Sequence, residues 1–125
     1  KLEYQEIHVS TKKTGNLPEK VLQKESEKVL SKINNHSQLI LLDEKGKAMS
    51  STEFANFIDY SLIGSMDIVF LIGGAYGFHR NLRKHASRKI SLSKMTFTHQ
   101  MARVLLLEQI YRAFSIIHND PYHNA

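Results

Sequence analysis

The chain has 125 residues, 42% hydrophobic and 23% charged, which suits one folded domain rather than a disordered segment. It has no cysteine, which excludes disulfides, thiolate zinc sites and cysteine nucleophiles, and fits a reducing compartment. Lys plus Arg is 17 and Asp plus Glu is 12, and the net charge of +5 points to nucleic acid ahead of membrane, or simply to a soluble basic surface.

No apolar region follows Lys1-Leu2-Glu3-Tyr4, so no signal peptide is expected. The absence of an initiator methionine suggests numbering that begins inside a longer chain. Nothing approaches the run of about 20 apolar residues that spans a bilayer, so no membrane partner is expected. Leu2, Tyr4, Ile7 and Val9 alternate with polar residues and predict a strand. Ser10 to Leu17 is polar, contains Gly15 and reads as a loop. Pro18 suits the first turn of a helix carrying Val21, Leu22, Val29, Leu30 and Ile33 at helical spacing. Asn34 and Asn35 stop it.

Leu39 to Leu42 is a continuous apolar run, expected as a strand buried on both faces, with Asp43-Glu44-Lys45-Gly46 as the turn after it. Ser50 and Glu53 have capping-box spacing, and Phe54, Phe57 and Ile58 form the stripe of a second helix ending at Gly64. Ile68 to Ile72 predicts a second buried strand running into Gly73-Gly74. A third helix is expected over Phe78 to Ala86 and a short strand over Lys89 to Leu92. Thr98 is a reasonable N-cap for a last helix to about Ile117, ended by Asn119-Asp120-Pro121.

Alternation of strands and helices predicts an α/β fold with a mainly parallel sheet and helices on both faces. The last helix is apolar on more than one face, through Met101, Val104, Leu105, Leu106, Leu107, Ile110, Tyr111, Phe114, Ile116 and Ile117. Such a helix is buried from two sides, either within one core or against a partner subunit.

Four groups of residues can carry chemistry. Gly73 to Phe78 follows a buried strand, where a parallel sheet places ligands, yet a plain tight turn explains it equally. Its pattern is not G-x-G-x-x-G, which disfavours a dinucleotide-binding oxidoreductase. Ser91 to His99 supplies four hydroxyls and a lysine before a helix N-terminus, for a polar ligand or for ordinary capping. His99, His118 and His123 lack metal-ligand spacing, so no metal is expected; His99 and His123 are candidates for acid/base work or RNA contact. Arg80, Arg83, Lys84, Arg88, Lys89, Lys94, Arg103 and Arg112 suit phosphate, while Glu108 and Arg112 also have the spacing of a simple helical ion pair.

Taken together, Phe70 to Phe78, Ser91 to Val104, Leu107 to Ala113 and the tail Pro121-Tyr122-His123 resemble the bacterial ribosomal RNA large-subunit methyltransferase H family, of the SPOUT class. The resemblance covers essentially the whole chain as a single domain, 1–125. Members begin with a further strand and helix before the segment matching Lys1 to Val9, and this sequence lacks them. The resemblance implies a cytoplasmic enzyme that uses S-adenosylmethionine to methylate N3 of a pseudouridine in helix 69 of 23S rRNA in the ribosome. It implies a C-terminal trefoil knot and a homodimer formed through the last helix. It places Leu42, Gly73, Leu92, Ser93, Lys94, Met95, Thr96 and Phe97 around the cofactor. His123 becomes the candidate base, and His99, Arg103 and Tyr122 become candidate RNA contacts. Where family tails carry a further charged residue after Tyr-His, this chain has Asn124-Ala125. The rival function is non-catalytic RNA binding on the same fold.

Overall fold

A computed structural model describes residues 18–73 and 77–124. The strand expected at Lys1 to Val9, the loop after it and the middle of the glycine motif lie outside the described residues. Helix α1 spans Pro18–Ser31, strand β1 Ser37–Ala48, α2 Ser51–Ile63, β2 Asp67–Ile72, α3 Arg80–His85, β3 Arg88–Ser91 and α4 His99–Ile117.

The apolar run Leu39 to Leu42 explains the layering. Successive side chains of a strand point to opposite faces. Ile40 and Leu42 pack with Phe54, Phe57 and Ile58 of α2 and Leu106 and Ala113 of α4. Leu39 and Leu41 pack with Val29 of α1 and Leu82 of α3 on the other face. Burying each of these strand side chains contributes roughly 1.5–3 kcal/mol. β1 is therefore central, in the order β2-β1-β3, and parallel to both neighbours. The expected parallel sheet with helices on both faces is present.

Local signals act where expected. The Ser50 hydroxyl accepts from Glu53 N at 3.1 Å, and the Glu53 carboxylate accepts from Ser50 N at 2.9 Å. Thr98 Oγ1 accepts from Met101 N at 3.3 Å and starts α4. After α2 the left-handed residue is Ser65, φ 58°, while Gly64 stays at φ −77°.

Four expectations change. The turn expected at Asp43 to Gly46 is a bulge within β1, because Leu42 and Lys47 both lie opposite Ile90. Pairing resumes because Gly46 has no side chain; a Cβ there would meet the Lys89 carbonyl carbon at 2.7 Å. β2 is half-buried rather than buried, since it is an edge strand among the described residues. The third helix starts later than Phe78, because Phe78 sinks into the core and His79 Nδ1 caps the helix by accepting from Asn81 N at 3.1 Å. Finally, α4 is not buried all round within this chain's own core: Leu106 and Ala113 are buried against α2 and β1, with Ser115 buried near the helix end. Met101, Val104, Leu107, Tyr111 and Phe114 remain exposed. Among the described residues no helix is long and apolar enough to cross a membrane.

Candidate functional site

All three strands run in one direction, so their carboxyl ends share one edge of the sheet. Open parallel sheets bind ligands there. A cleft of about 320 Å³ lies at that edge. Leu42 from β1, Ile72 from β2 with Gly73 just after it, and Leu92 beyond β3 form its floor and walls. Ser93, Met95, Thr96 and Phe97 close one side, and His99 and Ala102 of α4 complete it.

The loop from Ser91 to Thr98 is shaped by its own hydroxyls. Ser91 Oγ donates to Ser93 O at 2.8 Å, and Ser93 Oγ accepts from Met95 N at 3.0 Å. Thr96 Oγ1 donates across the cleft to the Glu44 carboxylate. Glu44 sits on the β1 bulge beside Asp43, whose Oδ1 accepts from Lys45 N at 3.0 Å. Two carboxylates therefore rim the cleft of a basic protein. Gly73 matters for packing: a Cβ there would meet the Phe78 ring at 2.9 Å, and Phe78 also lines the cleft.

Seven of the eight expected cofactor residues line this cleft, while Lys94 does not. His99 lines it, and Arg103, half-buried on the next part of α4, does not. Sequence reasoning passed over Asp43 and Glu44 because they read as turn residues. Their signal was position: two carboxylates directly after a buried strand of a parallel sheet. His99 also acts on α1: burial pushes the Glu25 carboxyl above its usual range, and the nearby His99 partly offsets this.

Tyr122 and His123 sit elsewhere. The tail folds back on α4, where the Tyr122 ring packs on Tyr111 at 4.8 Å and under the Arg112 guanidinium at 4.8 Å. Glu108 accepts from Arg112 Nη2 at 2.6 Å, from Arg112 Nε at 3.1 Å, from Tyr122 OH at 3.1 Å and from Gln109 Nε2 at 3.0 Å. The Arg112 hydrogen bonds, then that of Tyr122, hold the Glu108 carboxyl below the usual carboxylate range. Arg112 Nη1 lies 3.0 Å from His123 Nδ1. Arg112 is thirteen residues beyond His99 on one helix, or roughly 20 Å at 1.5 Å per residue. The structure thus separates His123 from the cleft within one chain.

Comparison with known proteins gives the same family from independent directions. The model of the family described as "Predicted SPOUT methyltransferase" matches residues 1–123. A Geotalea daltonii protein named "Ribosomal RNA large subunit methyltransferase H" is 49% identical over 111 residues, 88% of this chain and 72% of that protein. The chain belongs to this methyltransferase family. A Christiangramia forsetii protein of the same name is 48% identical over 121 residues, 95% of this chain and 77% of its own length. One from Geobacter sp. strain M21 is 52% identical over 103 residues, 82% of this chain and 67% of its own.

Proposed function

We propose that the chain is a cytoplasmic 23S rRNA methyltransferase that works as a homodimer. Its substrate in this proposal is N3 of a pseudouridine in helix 69 of the large ribosomal subunit, and its cofactor is S-adenosylmethionine. The observation that carries the proposal is the cleft beyond the strand ends, walled by Leu92 to Phe97. Its lining fits that cofactor. Leu42, Ile72, Leu92 and Phe97 offer apolar surface to a purine, and Ser93 and Thr96 offer hydroxyls. The Asp43 and Glu44 carboxylates suit a ligand with two positive centres. The volume falls within the roughly 300–1,000 Å³ of small-molecule sites. The segments around Gly73 and Leu92 to Phe97 are, in this proposal, the loops of a trefoil knot.

When bound, S-adenosylmethionine supplies an electrophilic methyl group on a positively charged sulfur. The protein's task is then orientation and electrostatics. Cleft residues hold one reactant. The N3 nitrogen of the other must lose its proton before it can attack. Tyr122 would position the base, His123 would act on its imide, and His99 and Arg103 would hold phosphate. Arg80, Arg83 and Lys84 on exposed α3 positions, with exposed Arg88 and Lys89 on β3, add cationic groups for RNA.

His123 reaches a cleft only if a second copy provides it. The exposed stripe Met101, Val104, Leu107, Tyr111 and Phe114 supplies the contact. A two-fold axis beside the middle of α4 brings the tail end of one helix to the cleft end of the other.

Calorimetric titration with S-adenosylmethionine, with NAD as control, tests the cofactor. Labelled-methyl transfer to ribosomes tests the reaction. Saturable binding of the sulfonium compound alone, followed by labelling of 23S rRNA, is expected. A folded dimer that binds RNA but neither small molecule would sink the proposal in favour of non-catalytic RNA binding.

A further inference from the structure

The contact between Arg112 and His123 fixes what the histidine can do. A guanidinium carries only N–H donors and keeps its charge at any pH a protein survives. With Arg112 Nη1 at 3.0 Å, His123 Nδ1 must be the acceptor. Its lone pair is therefore occupied and carries no hydrogen. In a neutral imidazole the single hydrogen then sits on Nε2. Nε2 is the other ring nitrogen, and in this form it can donate but has no free lone pair with which to accept a proton.

Arg112 is not free to leave this contact. Glu108 grips its Nε and Nη2, at 3.1 and 2.6 Å, which turns Nη1 toward the tail. Glu108 is itself held by Tyr122 OH and by Gln109 Nε2. Gln109 Oε1 accepts in turn from Ser51 Oγ at 2.7 Å, anchoring the set to the start of α2. The tail histidine is thus oriented by a chain of hydrogen bonds from the folded body of the domain.

We infer that Glu108 and Arg112 are positioning residues that hold His123 in its Nε2–H form, so that it donates a hydrogen bond to an imide oxygen of the target base and does not remove the N3 proton. This rests on the methyltransferase proposal above. The N3 proton passes to solvent water, and the charge left on the imide spreads onto its two carbonyl oxygens. A donor at one of them stabilises that anion, as donors do at an oxyanion. N3 then forms its bond to the methyl carbon. The carbon–sulfur bond breaks with its electron pair staying on sulfur, leaving a neutral thioether. Atoms and charge balance with water as the only proton acceptor.

Nitrogen-15 NMR of the histidine rings, in mildly alkaline buffer, reads the tautomer without any substrate. The expected spectrum shows His123 with its proton on Nε2, and loss of that bias in Arg112→Ala. A proton on Nδ1 in the wild-type protein overturns the inference. Single-turnover methylation of ribosomes supplies the second readout. Glutamine keeps a donor near the Nε2 position and an acceptor for Arg112 but is no base. His123→Gln is expected within about tenfold of wild type, while His123→Ala loses about a hundredfold or more, the scale of one lost oxyanion donor. Equal losses in both variants, with an active wild type, restore the base role and overturn the inference. A wild-type protein that methylates nothing overturns the underlying proposal instead, and this inference with it.

Discussion

Thr96 Oγ1 donates a hydrogen bond to the Glu44 carboxylate, which ties the loop after β3 to the bulge of β1 across the cleft. The two residues are 52 positions apart in the chain. The contact joins the two segments that the proposed cofactor must lie between.

Thr96→Val removes that donor while nearly preserving shape. An exposed hydrogen bond to a charged group is worth up to about 1 kcal/mol net. Affinity for S-adenosylmethionine should fall roughly fivefold in calorimetric titration. Unchanged affinity would show that the Thr96–Glu44 contact does not shape the site.

Gly46→Ala tests the bulge. The added Cβ would lie 2.7 Å from both the carbon and oxygen of the Lys89 carbonyl and 2.8 Å from Ile90 N. These are backbone atoms of a paired strand and cannot swing aside. The expected cost is about 2 kcal/mol, on the scale of overpacking a filled site. The thermal midpoint should drop by about 5–10 °C, measured by circular dichroism.

Leu107→Glu, on the exposed stripe of α4, should convert a dimer to a monomer in analytical ultracentrifugation. Leu107 is 42% exposed in one chain, so the folded monomer tolerates the charge, whereas a paired apolar face does not. A dimer that survives the substitution would place the interface elsewhere.

Acid should weaken the fold through two carboxylates. Hydrogen bonds from the Ser50 backbone, then from its hydroxyl, hold the Glu53 carboxyl below its usual range, and those from Arg112 do the same for Glu108. A pKa lowered on folding contributes stability that is complete above the unfolded value and vanishes as pH falls through the folded one. The urea midpoint should therefore fall between about pH 6 and about pH 3, and Glu53→Gln should lose less over that interval than wild type. A parallel loss in both proteins would deny Glu53 a share.

Much of this fold was legible from short stretches of residues. The Ser50–Glu53 box and the Thr98 cap are settled within four residues of chain, and the structure forms both. The apolar run Leu39 to Leu42, flanked by helical periods, was enough to expect a buried parallel strand. The Ser91 to His99 segment stood out through its hydroxyls before a helix N-terminus, and the resemblance to family members narrowed it to Leu92 to Phe97.

Other features depend on what a segment meets across space. Asp43 to Gly46 looks like a turn on its own; only Lys89 and Ile90, more than forty residues away, make it a bulge and carry Asp43 and Glu44 to the cleft. His123 looks like a free base until Arg112 is found at its Nδ1. Local order follows from backbone dihedrals and neighbours a turn away, which the residue string states directly. Register, cleft walls and a histidine's tautomer follow from contacts between distant segments, and those exist only once the chain has packed.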